Sequence, residues 1–246
     1  MIFLKDLYLS ALFIFLMCII APGNVLAAEK KIPAIEPINL SQMMREQKSK
    51  IVLVNTMSTI ECDDHSIAGS LCIPVETMKD RVKTLPGDKL IVFYCETETG
   101  VRCLKAAQIA LVNGRENVAV LAGGAVGWRK AGFNEISRKR IPRQIIRSIP
   151  AETLKEWIEK KHVATIVDIR SPESFANGHI GGAVNISFHI LNNKYSEIPK
   201  GKTIVVVDDK GLRSFLAASY LRSVGFESVA RLGGGMEAWQ EAYGIH

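Results

Sequence analysis

Metal-binding spacing is the first thing this sequence lacks. No CxxC pair occurs among its five cysteines and no histidine stands at zinc spacing from them, so neither a metal nor another cofactor is expected. Long apolar runs are also scarce. The most apolar stretch, Leu9 to Ala21, falls short of the roughly 20 residues that a spanning helix needs, and no stop-transfer cluster of charge follows it. With Lys5 ahead of it and Val25-Leu26-Ala27 offering small residues for cleavage, residues 1–28 read as a secretory signal peptide. The expectation is a periplasmic or secreted protein, cleaved near Ala27 or Ala28, with no stable membrane insertion afterwards.

Acidic residues are missing from one segment. Ser137 to Ser148 holds Arg138, Lys139, Arg140, Arg143 and Arg147 with no Asp or Glu and no interleaved aromatic residue. Export would also remove most nucleic acid from reach, so residues 137–148 read as a solvated basic linker and no nucleic-acid partner is expected. Cysteine is missing from the whole second half. Beyond the leader, Cys62, Cys72, Cys95 and Cys103 all fall in the first half.

What is present is a long internal repeat. Ile67-Ala-Gly-Ser70 matches Ile180-Gly-Gly-Ala183, an offset of 113, whereas Gly100-Val-Arg102 matches Gly211-Leu-Arg213 and Trp128 matches Trp239, an offset of 111. A period this long means a duplicated domain and not a solenoid. In each half, β-branched runs alternate with helical stretches. Ile51 to Asn55, Leu90 to Tyr94 and Val118 to Leu121 are expected strands, with a helix over Arg102 to Asn113. Ala164 to Ile169, Thr203 to Val207 and Val229 to Leu232 repeat the pattern, with helices over Ala151 to Lys160 and Leu212 to Val224. The order is βαβ and the class α/β: two tandem domains, 36–136 and 149–246, each a mainly parallel sheet flanked by helices. Trp128 and Trp239 follow Gly-rich turns and are assigned to core packing.

Four motifs of the second half occur in a fixed order: Asp168-Ile-Arg170-Ser-Pro-Glu173, Gly178-His-Ile-Gly-Gly-Ala-Val-Asn-Ile186, Gly211-Leu-Arg-Ser214 and Gly234-Gly-Met-Glu-Ala-Trp239. This set resembles the rhodanese homology domain, and the first half carries a partial copy. The resemblance implies a nucleophilic cysteine at a strand end, just before the loop into a helix. That position is Cys95 in the first domain and Asp208 in the second. The change of offset falls between Cys95 and Gly100, so the first domain's loop, with Glu96, Thr97, Glu98, Thr99, Gly100, Val101 and Arg102, is two residues longer.

A loop running from a parallel strand into a helix N-terminus turns successive N–H groups inward and forms an anion-binding nest. Such surroundings lower a cysteine pKa from about 8.5 into the range of roughly 3.5–7.5. The resemblance therefore implies a sulfurtransferase in which Cys95 takes a sulfane sulfur from a small, thiosulfate-like donor and passes it to a thiol or protein acceptor. Arg102 is expected to hold the donor's charge, and Asp208 to be a relic or a helix cap. Three departures stand against thiosulfate specificity. Glu96 and Glu98 put negative charge in the loop, the loop is longer, and Asp168, Arg170 and Glu173 become Asn55, Met57 and Ile60. His65 and Ser66 align with Gly178 and His179, and neither is placed in the catalytic set.

The four cysteines allow three complete pairings. Export permits disulfides, and Cys62 with Cys72, which bracket one tight turn, is the preferred structural pair over two small core residues. Cys103 replaces the family's serine near the first turn of the helix and is a candidate resolving thiol for Cys95. Two other functions stay open: a thiol-disulfide redox or sensing protein using Cys95 and Cys103, and a non-catalytic sulfur-carrier or interaction module.

Overall fold

Leu90–Tyr94 reads LIVFY, and Ile91 to Tyr94 are all buried. Such a run suits a strand covered on both faces, as in a parallel sheet. The computed structural model describes residues 31–96, 100–160 and 164–244. The leader expected over residues 1–28, and Thr97, Glu98 and Thr99 of the loop, lie outside the described residues.

The first domain runs β1 (Ala34–Ile35), α1 (Pro37–Glu46), β2 (Ile51–Asn55), α2 (Thr59–Asp64), β3 (Leu71–Cys72), α3 (Met78–Arg81), β4 (Leu90–Tyr94), α4 (Val101–Val112), β5 (Val118–Leu121) and α5 (Gly124–Lys130). The second repeats it as β6 (Arg147–Ile149), α6 (Ala151–Glu159), β7 (Ala164–Asp168), α7 (Pro172–Ala176), β8 (Val184–Asn185), α8 (Leu191–Lys194), β9 (Thr203–Val207), α9 (Ser214–Ser223), β10 (Val229–Leu232) and α10 (Gly235–Tyr243). Each sheet has five strands, ordered β1-β5-β4-β2-β3 and β6-β10-β9-β7-β8. Every pairing between these strands is parallel.

Strand periodicity sorts the cores. In β9, Ile204 and Val206 join one apolar cluster while Val205 and Val207 join another, as successive side chains on opposite sheet faces must. The first domain's core gathers Leu53, Phe93, Ala106 and Trp128. Ile60 of α2 and Ile141 of the connecting segment pack with Phe188 and Leu216 of the second domain, so apolar contact joins the two halves.

The segment between the domains exposes its five basic residues, as a solvated linker would, but it is anchored at several points. Arg147 and Ser148 already belong to β6, Ile141 is buried, and its N–H donates to Asp64 Oδ1 at 2.9 Å. Arg143 Nη2 donates to Asp64 Oδ2 at 2.6 Å, and Arg138 to the carbonyl of Ser70. Composition showed the missing acids but not the carboxylate waiting in α2. The helix expected from Leu212 begins instead at Ser214, because Gly211 to Arg213 fold around the Asp208 side chain.

Candidate functional site

Both strand-end positions sit at the carboxyl edge of a parallel sheet, where open α/β folds place their binding crevices. Cys95 follows β4, and its carbonyl accepts from Ala125 N at 2.8 Å; Asp208 follows β9, and its carbonyl accepts from Met236 N at 2.8 Å. The two residues are thus structural counterparts. The approach is tight: a Cβ on Gly235 would fall 2.4 Å from the Asp208 carbonyl oxygen, and its φ of +61° suits glycine.

In the second domain the loop closes on its own side chain. Asp208 Oδ1 accepts from Gly211 N at 2.7 Å, and Oδ2 accepts from Arg213 N at 2.6 Å and Ser214 N at 3.1 Å. The buried carboxylate therefore fills a nest of three backbone N–H groups at the start of α9, the cap position of the two alternatives, relic or helix cap, expected for it.

In the first domain Cys95 is 2% exposed and Cys103, in the first turn of α4, is 1% exposed. Their sulfurs lie 2.9 Å apart in hydrogen-bond contact, and the Cys103 thiol is also 3.1 Å from the carbonyl of Gly100. The hydrogen bond with Cys95 pushes the Cys103 thiol pKa up, and burial pushes it further. Gly100, in the left-handed region at φ 63°, starts the helix, and the Val101 side chain is exposed.

A cavity of about 1080 Å³ lies between the two loops. Cys95 and Arg102 face it from the first domain, Asp208 and Arg213 from the second, with Phe188 and Phe215 supplying apolar wall. Arg213 and Arg102 share one carboxylate, Glu61, at 3.1 Å and 3.8 Å. Glu61 also completes the capping box of α2, whose N-cap is Ser58: its carboxylate accepts from Ser58 N while Ser58 Oγ accepts from Glu61 N. Burial alone would raise its pKa, but the two guanidiniums and the Ser58 bond bring it down to about 2.

Glu96 does not stand as a bare charge against an anion. Arg129 Nη2 donates to Glu96 Oε1 at 2.5 Å, and His65 Nε2 lies 3.4 Å from Oε2. Against the cost of burial, these partners hold its carboxyl below the usual range. His65, kept out of the site on sequence grounds, lines the cavity and links Glu96 to Asp64, whose Oδ2 is 3.2 Å from Nδ1. No local motif signals this, since Arg129 and Glu96 are 33 residues apart.

The lost charges of β2 leave the geometry standing. Asn55 Oδ1 accepts from Met57 N at 3.0 Å, just as Asp168 Oδ1 accepts from Arg170 N at 2.9 Å. Arg170 adds an ion pair to Asp168 in the second domain; Asn55 instead donates to Ser66 Oγ. Cys62 and Cys72 form a disulfide, and neither lines the cavity. Trp128 and Trp239 are buried, the former donating Nε1–H to the carbonyl of Asn134. Among the described residues no cluster of three or more His, Cys, Asp or Glu side chains is arranged to hold a metal, and no helix is long and apolar enough to cross a membrane.

The Rhodanese-like domain profile matches residues 37–131 and again residues 150–242. The chain belongs to the rhodanese-like family. Among characterised relatives, a protein of Allochromatium vinosum named Sulfurtransferase is 34% identical over 95 residues, covering 39% of this chain and 89% of its own length. Thiosulfate sulfurtransferase GlpE of Shewanella oneidensis is 43% identical over 89 residues, covering 36% of this chain and 87% of its own. The crystal structure of a rhodanese-related protein from Thermoplasma volcanium is 30% identical, covers 39% of this chain and 93% of that one, and superposes with a TM-score of 0.37. Each of these relatives spans about one rhodanese-like domain, and this chain holds two.

Proposed function

We propose that this tandem rhodanese-like protein is an exported sulfurtransferase that moves a sulfane sulfur from a thiosulfate-like donor to a thiol acceptor through a persulfide on Cys95. Family membership, and relatives named for sulfur transfer, support the reaction class. One observation carries the site assignment: the counterpart of Cys95 is a carboxylate held by three backbone N–H groups. In the second domain a carboxylate stands at that point, and in the first domain the residue there is a cysteine.

A thiolate at the N-terminal end of α4 is favoured by the helix dipole. It attacks the outer sulfur of the donor; the donor's S–S bond breaks, and sulfite leaves with the electron pair if the donor is thiosulfate. The persulfide then faces the cavity that Cys95 lines. An acceptor thiolate attacks the outer sulfur and the bonding pair returns to Cys95, which restores the starting state. Arg102 adds positive charge for an anionic donor, and the paired Glu96 takes less away from it than an isolated carboxylate would.

The test is intact-protein mass spectrometry of the mature chain after thiosulfate, beside Cys95→Ser. A gain of about 32 Da that cyanide removes and the variant lacks supports the persulfide. A purely binding or carrier module that needs a partner to load it would show no gain, and would bind that partner equally well as Cys95→Ala. Export is tested separately, by sequencing the N-terminus of the protein recovered from outside the cytoplasm: cleavage after Ala27 or Ala28 is expected.

A further inference from the structure

Cys103 is placed for chemistry that sulfur transfer to an outside acceptor does not need. Its counterpart in the second domain is Ser214, fully buried at the start of α9. In the first domain that buried position carries a thiol, and the thiol lies 2.9 Å from the sulfur of Cys95. Cys95 lines the cavity and Cys103 does not. A donor or acceptor entering the cavity therefore meets Cys95, while Cys103 touches the same sulfur from inside the fold.

Resting on the persulfide reading above, we propose that Cys103 resolves the Cys95 persulfide, so that the protein releases the bound sulfur as hydrosulfide when no acceptor arrives. The Cys103 sulfur attacks Cys95 Sγ, the inner atom of the persulfide. The Sγ–Sδ bond breaks, the outer sulfur leaves as HS⁻ with the proton that Cys103 gives up, and a Cys95–Cys103 disulfide forms. The sulfane sulfur is reduced by two electrons, which the two cysteines supply. An external dithiol reductant is then required to return both to thiols.

Distance and access select this route. The sulfurs need to close by less than about 1 Å to reach a disulfide bond of about 2.05 Å. The outer sulfur adds from the cavity side, which leaves the buried side of Sγ to Cys103, and displacement at sulfur proceeds with nucleophile and leaving group on opposite sides. The hydrogen bond to Cys95, followed by burial, keeps the Cys103 thiol protonated. Its attack is therefore slower than that of an acceptor already present as thiolate, and it quickens as pH rises. Sulfide release is the outcome of scarcity of acceptor, and transfer the outcome of its abundance.

The experiment loads wild type and Cys103→Ser with thiosulfate, desalts them without thiol under anaerobic conditions, and follows intact mass together with sulfide captured by a bimane reagent. Wild type is expected to lose its added mass of about 32 Da and settle about 2 Da below the reduced protein, with about one equivalent of sulfide and a Cys95–Cys103 peptide link. Cys103→Ser, which installs the residue the second domain has at this place, is expected to keep the added mass. A wild-type persulfide as long-lived as that of the variant, with no sulfide, overturns the inference and leaves the persulfide reading standing. No mass gain in either protein overturns both. If the serine variant does not fold, the sulfide yield and final mass of wild type decide alone.

Discussion

The guanidinium of Arg213 closes on the carboxylate of Glu61 across the two domains, Nε to Oε1 at 3.2 Å and Nη2 to Oε2 at 3.1 Å. Burial would raise the Glu61 pKa, yet with Arg213 and Arg102 beside it the value falls to about 2 from an ordinary 4.5. A depressed carboxylate pKa adds stability that is complete above the unfolded value and is lost as pH falls through the folded one. Glu61→Gln preserves the capping box with Ser58 and removes the charge. The stability gap between wild type and this variant, of order 3 kcal/mol near neutrality, is expected to narrow as pH drops from about 5 towards 2. Urea unfolding across that range checks it; a gap independent of pH would deny the ion pair its role.

Asp208→Ala takes the carboxylate away from three backbone donors. Buried donors without partners cost about 1–3 kcal/mol each where water does not reach them, so a fall of several degrees in Tm is expected. Sulfate should recover part of the loss in the variant, beyond any effect it has on wild type, because the emptied nest accepts a small anion. Thermal melts against anion concentration read this out.

The Cys62–Cys72 disulfide spans a sequence separation of 10. Closing a loop of this length stabilises by about 2.5 kcal/mol on the chain-entropy account. Reduction, or the double variant Cys62→Ser with Cys72→Ser, is expected to lower stability by about that amount in chemical denaturation. Equal midpoints with the bond intact and reduced would refute it.

His65 faces the carboxylates of Asp64 and Glu96, with Glu135 nearby and Arg129 and Arg143 bound to the same acids. Burial lowers its pKa, but Glu96, Glu135 and Asp64 outweigh that and raise it above the usual 6.5. A raised histidine pKa gives stability that is complete below the unfolded value and lost as pH climbs through the folded one. Wild type is expected to lose up to about 1 kcal/mol between pH 6 and 8 relative to His65→Gln. A difference that holds constant over that window, in parallel denaturation curves, would contradict the assignment.

The central strands were legible because each is built on a short, mostly buried apolar run: β2, β4, β5, β9 and β10 have the bounds expected of them, with Asn55, Thr203 and Arg231 as their polar members. It gave no sign of β3 and β8, two residues each, since so short a pairing has no period to read. Cys95 and Asp208 were legible through the repeat. The ion pair of Glu61 with Arg213 was not, because it spans 152 residues and depends on how two domains meet. Glu96 was legible as a charge but not as a paired one, and His65 was hidden because its repeat partner is a glycine.

Three N–H bonds to Asp208 make the second domain's loop a receptor that carries its own guest. The donors that would meet an incoming anion are already taken by a covalently attached carboxylate. The same loop presents Arg213 to Glu61 and to the shared cavity. One half of the duplicated chain thus satisfies its own loop donors from within, and the cysteine that could carry a transferable group stands only in the other half.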